Sequence, residues 1–281
     1  MIGVFDSGYG GLTVFKPLTK KFPRYNFIYF GDNARAPYGS RSQEEIYKYT
    51  REAVDWLFRE GCELIILACN TASAQALQKI QQEYLIKNYS ERRVLGVLIP
   101  VAEEIAKTAD GKIGILATEA TVSSGAYLRE IKKFKSDAEI IQIAAPTLVP
   151  LIETDMIYHN SMKLALRKYL ESFKKTGIKN IILGCTHYPL IKDLIQAEMP
   201  GAKIFDSPSV IPASLENYLT RHPEIEKRLG KNGQRRFVTT GDQEKFSKFA
   251  AKIMNVPVGV EKALPFLFLK KFESARMNGL D

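Results

Sequence analysis

Two stretches of this 281-residue chain decide its reading: Ile65-Ile66-Leu67-Ala68-Cys69-Asn70-Thr71 and, 116 residues later, Ile181-Ile182-Leu183-Gly184-Cys185-Thr186-His187. Each is a short apolar run that gives way to small polar residues around a cysteine. An uninterrupted run of this kind, closed by a turn, reads as a parallel strand covered on both faces. A second pair repeats nearly the same offset: Ile2-Gly3-Val4-Phe5-Asp6-Ser7 and Ile113-Gly114-Ile115-Leu116-Ala117-Thr118. Two echoes at almost one spacing indicate two α/β halves of similar plan.

Further apolar runs lie at Asn26–Phe30, Val94–Ile99, Ile140–Ile143 and Phe237–Thr240, and the first runs extend over Leu64–Ala68, Lys112–Ala117 and Asn180–Gly184. Between them Glu44–Arg59, Ser73–Glu83, Met162–Lys175 and Ile191–Glu198 carry apolar residues at helical spacing. Strand and helix taking turns predicts an α/β fold of two similar domains, each a mostly parallel sheet flanked by helices. The expected boundaries are 1–95 plus 207–281 for the first domain and 96–206 for the second. Ligands of open parallel sheets bind beyond the carboxyl ends of the strands, where both cysteine motifs fall. Facing halves would bring Cys69 and Cys185 to one cleft from opposite sides.

Composition narrows the class. Apolar residues make up 45% and charged residues 25%, ordinary for a globular protein and unlike a disordered or collagenous chain. The longest apolar stretches, around Leu95–Ala102 and Leu264–Leu269, fall well short of the roughly 18 residues that span a bilayer, so no membrane association is expected. The start, Met1-Ile2-Gly3-Val4-Phe5-Asp6, lacks the basic and apolar regions of a secretory signal. Three cysteines, none in a CxxC pair, fit a reducing, cytoplasmic setting.

The net charge of +9 raises the alternative of a nucleic-acid-binding protein. Its basic clusters, such as Arg129/Lys132/Lys133/Lys135 and Arg221/Lys227/Arg228/Lys231/Arg235/Arg236, are mostly interleaved with acids, as solvated helix faces are. No nucleic-acid motif accompanies them, and a nucleic-acid partner is not expected.

A thiol with an ordinary pKa of about 8.5 is a poor base at neutral pH unless the anion is favoured, as at a helix N-terminus. Cys69 precedes the helical segment Ser73–Glu83, and Cys185 precedes Pro189, a residue suited to a first helical turn. Both are expected where a thiolate is stabilised. Cys62, at a helix end before a strand, reads as a packing residue. Two facing thiols leave three options: a redox disulfide, a metal site recruiting His187, or proton transfer on both faces of one carbon. The last inverts a stereocentre without a cofactor. Asp6 and Ser7 precede Gly8, Gly10 and Gly11, a turn with Thr13 where GxGxxG has its third glycine and with no P-loop lysine. Its backbone N–H groups suit a carboxylate. His187 is two residues from Cys185 and Asp6 is the counterpart for Cys69.

Taken together, IGVFDSGYGGLTV, YFGDNARAPYG, LACNTASA, ILATEATV, LVPLIE and GCTHYPL make the chain resemble the glutamate racemases of the aspartate/glutamate racemase superfamily. The motifs run in order from residue 2 to about 190, with the weaker TTGD at Thr239–Asp242 beyond. The resemblance implies interconversion of L- and D-glutamate, with no cofactor and no metal, for cell-wall synthesis in a bacterial cytoplasm, by a homodimer. It implies Cys69 and Cys185 as the two acid/base residues, Cys69 acting on D-glutamate and Cys185 on L-glutamate. Asp6, Ser7, Tyr38, Gly39, Asn70, Thr71, Thr118, Thr186 and His187 would contact substrate or tune the thiols, and Asp32 and Glu153 match acidic family positions. Aspartate racemases, the nearest alternative, typically carry Glu in place of His187, which favours glutamate. With a first strand read from Ile2, the N-terminal arm that the family associates with regulation by a cell-wall precursor is not expected. Among the residues of DSGYGG, GDNARAPYG, CNTAS and CTHYP only Arg35 is basic, so substrate carboxylates are expected on hydroxyls, amides and backbone N–H groups.

Overall fold

The computed structural model describes residues 1–263. The apolar stretch Leu264–Leu269 therefore lies outside the described residues. Among the described residues ten strands form two sheets: β1 Ile2–Asp6, β2 Phe27–Gly31, β3 Leu64–Leu67, β4 Arg93–Gly96, β5 Ile113–Ala117, β6 Ile140–Ala144, β7 Asn180–Gly184, β8 Lys203–Asp206, β9 Arg235–Thr239 and β10 Glu261–Lys262. The first sheet has the order β10-β9-β2-β1-β3-β4, the second β6-β5-β7-β8. Every pairing is parallel.

Helices cover both faces of both sheets, which is why the strands are apolar throughout. In β1, Ile2 and Val4 face one core with Phe15 and Leu18 of the helix Leu12–Lys21, while Phe5 faces the other with Val54 and Leu57 of Gln43–Arg59. In β7, Ile181 and Leu183 pack against Leu166 and Phe173 of Asn160–Thr176; Ile182 packs opposite, with Val101 and Ile105 of Leu98–Thr108. The helix Gln43–Arg59 starts where a capping box demands, with Ser42 and Glu45 exchanging bonds.

Several expectations shift. The run Val94–Ile99 is a strand only to Gly96; from Leu98 it becomes the helix Leu98–Thr108, whose buried Leu98, Val101, Ala102 and Ile105 have helical spacing. The segment Ser73–Glu83 is broken: the helix Asn70–Gln75 begins directly after Cys69, then come Leu77–Lys79 and the wide turn Ile80–Tyr84. β8 and β10 add strands that the apolar pattern misses.

The basic clusters are largely committed within the fold. Arg236 pairs with Glu60 and Glu261, Arg228 with Glu63, and Lys133 with Glu130. Arg235 donates to the backbone carbonyls of Tyr25, Phe22 and Pro23. Among the described residues no helix is long and apolar enough to cross a membrane.

Candidate active site

In each sheet the chain reverses its direction of winding at a pair of adjacent strands, β1/β3 in the first and β5/β7 in the second. Such switch points open a crevice at the carboxyl ends of the strands. The register makes the two crevices equivalent: Phe5 pairs with Leu67, and Ala117 with Gly184. Ser7 and Cys69 emerge from one, Thr118 and Cys185 from the other. The crevices face each other across one cavity of about 590 Å³, lined by Ser7, Tyr38, Gly39, Cys69, Asn70, Thr71, Thr118, Glu153, Cys185, Thr186 and His187 among others.

The halves touch closely around this cavity. A side chain on Gly10 would put its Cβ 2.4 Å from Thr186 Oγ1 and 2.5 Å from His187 Nδ1, so only glycine permits the approach. Thr13, the residue that departs from GxGxxG, donates to Thr186 O at 2.9 Å. Gly39 O accepts from Ala120 N at 2.9 Å, and Thr71 Oγ1 lies 2.9 Å from Thr118 Oγ1. Thr121 completes that hydroxyl cluster, 2.8 Å from Thr118 and 3.3 Å from Thr71.

The two thiols have different surroundings. Cys69 caps the helix Asn70–Gln75, accepting from Ala72 N at 3.5 Å, and lies 3.5 Å from Ser7 Oγ. These contacts favour its anion, but burial outweighs them and the Asp6 carboxyl adds to it, pushing the Cys69 thiol up to about 12. The expectation of a thiolate favoured by the helix start is corrected here: the cap is present and loses to desolvation. Cys185 has no comparable cap. A short 3₁₀ turn, Tyr188–Ile191, follows it and begins at His187, which places the sulfur 3.9 Å from His187 Nδ1.

Asp6 does not line the cavity. It is fully buried behind it, accepting from Gly8 N at 3.0 Å and from Thr186 Oγ1 at 3.2 Å. Burial raises its pKa, against the opposing pull of His187. His187 in turn bonds Glu153 Oε1 through Nε2 at 2.9 Å. Burial disfavours its charged form, but Cys185 and Glu153 prevail and carry its pKa up to about 10. Asp32 lies beneath Tyr38, accepting its hydroxyl at 2.5 Å, Arg35 Nε at 2.7 Å and Thr240 Oγ1 at 2.8 Å. Arg35 also bonds Glu52 and is not in the cavity wall.

The expectation that the cavity lacks basic residues needs amendment. Lys245, from the helix Gln243–Met254, lines its mouth, and protonated His187 adds a second positive charge. Lys245 stands three residues beyond Asp242 of the weakly matching TTGD, so only that motif hinted at it. Among the described residues no group of three or more His, Cys, Asp or Glu side chains is placed to hold a metal ion.

A family model described as Asp/Glu/Hydantoin racemase matches residues 14–213. A glutamate racemase of Persephonella marina is 38% identical over 264 residues, covering 93% of this chain and 96% of that protein. Among solved structures, a glutamate racemase isoform from Bacillus anthracis aligns with a TM-score of 0.86 at 31% identity, covering 94% of this chain and 97% of its own. One from Francisella tularensis, in complex with D-glutamate, aligns with a TM-score of 0.84 at 31% identity and the same coverage. The chain belongs to the Asp/Glu/hydantoin racemase family.

Proposed function

We propose that this chain interconverts L- and D-glutamate by proton transfer between Cα and two cysteines, without a cofactor. The observation that carries this reading is the pair Cys69 and Cys185, one from each switch point, lining one cavity. With Cα held between them, the thiolate of one takes the α-proton from its own face. The thiol of the other then gives its proton to the opposite face of the carbanion. The configuration inverts, and the two sulfurs have exchanged their protonation states. Asp6 acts on Cys69 from behind, while His187 and Glu153 act on Cys185. Asn70, Thr71, Thr118 and Thr186 present the amide and hydroxyl groups that carboxylates require, with Ser7, Tyr38 and Gly39 completing the wall. A substrate ammonium beside Cys69 offsets part of the burial that keeps it protonated.

The related setting is part of the proposal: a homodimer in a bacterial cytoplasm that supplies D-glutamate for peptidoglycan. Domains of 1–95 plus 207–281 and 96–206 belong to it as well; in their favour, among the described residues, Ile211 and Leu215 pack with β1 while Val101 and Ile105 pack with β5.

The test is Cα hydrogen exchange in deuterated water with Cys69→Ser and Cys185→Ser, each given either enantiomer. Each variant loses racemisation, Cys69→Ser retains exchange into L-glutamate and Cys185→Ser into D-glutamate. Unchanged racemisation in both sinks the two-thiol mechanism. Faster turnover of aspartate by the wild type, read by circular dichroism, sinks the substrate assignment.

A further inference from the structure

Asn70, the residue after Cys69, has a side chain that splits its two ends between different surroundings. It is 2% exposed and lines the cavity. Its Oδ1 accepts a 2.7 Å hydrogen bond from the hydroxyl of Tyr127, whereas its Nδ2 has no hydrogen-bond partner among the described residues. A buried amide nitrogen left unpaired is costly, and such groups point to a missing acceptor. Tyr127 belongs to the helix Ala126–Phe134 of the second half, so the bond reaches across to the half that carries Cys69.

Tyr127 is itself fully buried and is not part of the cavity wall. Its ring is pinned against β7: a Cβ on Gly184, the residue before Cys185, would lie 3.2 Å from its Cε2. Burial, aided by the charge of Cys185, pushes its phenol pKa above the ordinary value, so the hydroxyl remains a donor across the working pH range. Turned over, the amide would give its NH2 to the phenol oxygen and leave the buried phenol proton without this acceptor, so one orientation is favoured. The oxygen must face Tyr127, and the NH2 group is then turned away from it.

We propose that Tyr127 is a positioning residue which locks the Asn70 amide so that its NH2 donates to a carboxylate of the bound amino acid. The proposal rests on the reading of the cavity as an amino-acid racemase site. Without the hydroxyl the amide is free to turn over and present its oxygen to the carboxylate, which repels it. The contact is of a kind that holds ground state and transition state alike, so its loss raises KM and spares kcat.

Four proteins decide it: the wild type, Tyr127→Phe, Asn70→Ala and the double variant, each assayed for kcat and KM with both enantiomers of glutamate. Tyr127→Phe is expected to raise KM about five- to tenfold with kcat changed less than about twofold. In the Asn70→Ala background, Tyr127→Phe is expected to add nothing to KM, because it acts only through Asn70. An unchanged KM in Tyr127→Phe, or additive effects in the double variant, overturns the proposal. A fall in unfolding temperature without the KM rise marks Tyr127 as structural only and overturns it too. In the unmodified protein, the Asn70 side-chain amide resonances are expected to shift when D-glutamate is added, and unmoved resonances count against it. A wild type that fails to racemise glutamate sinks the reading of the cavity itself, a different outcome from any of these.

Discussion

His187 Nε2 lies 2.9 Å from Glu153 Oε1, which ties the turn after β7 to the end of the helix Leu148–Glu153 at the wall of the cavity. The bond helps hold the imidazole charged while its other nitrogen faces Cys185. Glu153→Gln should therefore lower the His187 pKa from about 10 back toward 6.5, as read from the imidazole Cε1 resonance. The sign for stability follows from the raised pKa: the folded state binds this proton more tightly than the unfolded chain. Its contribution is full below about pH 6.5 and is lost as pH rises through about 10. The gap in unfolding temperature between wild type and Glu153→Gln should thus be wider near pH 6.5 than at pH 8 or 9, and close above pH 10. A gap that widens with pH would contradict this.

Asp6 is the second largest influence on Cys69, after burial, and both raise its pKa. Asp6→Asn removes the charge and leaves the burial. The alkylation of Cys69 by iodoacetamide, followed by peptide mass, should shift to lower pH without reaching the profile of an exposed thiol. An unmoved profile would mean that the carboxyl is neutral in the resting protein.

The contact at Gly10 allows no side chain. Gly10→Ala places a Cβ 2.4 Å from Thr186 Oγ1, and either the loop or the opposite half must withdraw. Displacing the Cys185 side of the cavity by a fraction of an ångström should lower kcat/KM about 10²-fold. The clash should also cost about 1–3 kcal/mol of stability, measurable by urea unfolding. Near-normal kinetics would mean that the halves need not approach so closely.

Lys245 is exposed at the cavity mouth, with Nζ 5.9 Å from the Tyr9 ring centroid. A cation there draws an anionic substrate inward without holding it in place. Lys245→Ala should lower kcat/KM a few-fold at low ionic strength, with kcat unaffected. At 1 M salt, where the screening length is about 3 Å, the difference should vanish. A loss that persists in high salt would make Lys245 a direct substrate contact.

What was legible in the sequence followed from burial on both faces. β1, β3, β5 and β7 are central strands, so their residues form continuous apolar runs and their ends point to the cavity. β8, with Lys203 and Asp206 at its ends on the edge of the second sheet, carries no such run, and β10 is only two residues long. The apolar stretch through Leu98 does not reveal its change of structure, because a buried strand and a buried helix start look alike in composition. At the site, cysteines followed by small polar residues stood out because each belongs to its own strand end. Tyr127 did not, since the fold sets it behind the cavity wall from a helix whose local sequence carries no mark of it, and Lys245 had only the weak TTGD nearby. The protonation of Cys69 is hidden from the sequence for the same reason. Its helix cap is local and readable, whereas its desolvation is a property of the assembled halves.

The placement of β9 has a consequence for the order in which the molecule assembles. β5 to β8 are contiguous in the chain, so the second sheet is complete once Asp206 has been synthesised. β9 instead lies between β2 and β10, and the first sheet stays open along β2 until Arg235–Thr239 emerges. On the ribosome the later-encoded half therefore finishes first, and the Asp6 loop meets the Thr186 turn against a partner that is already folded.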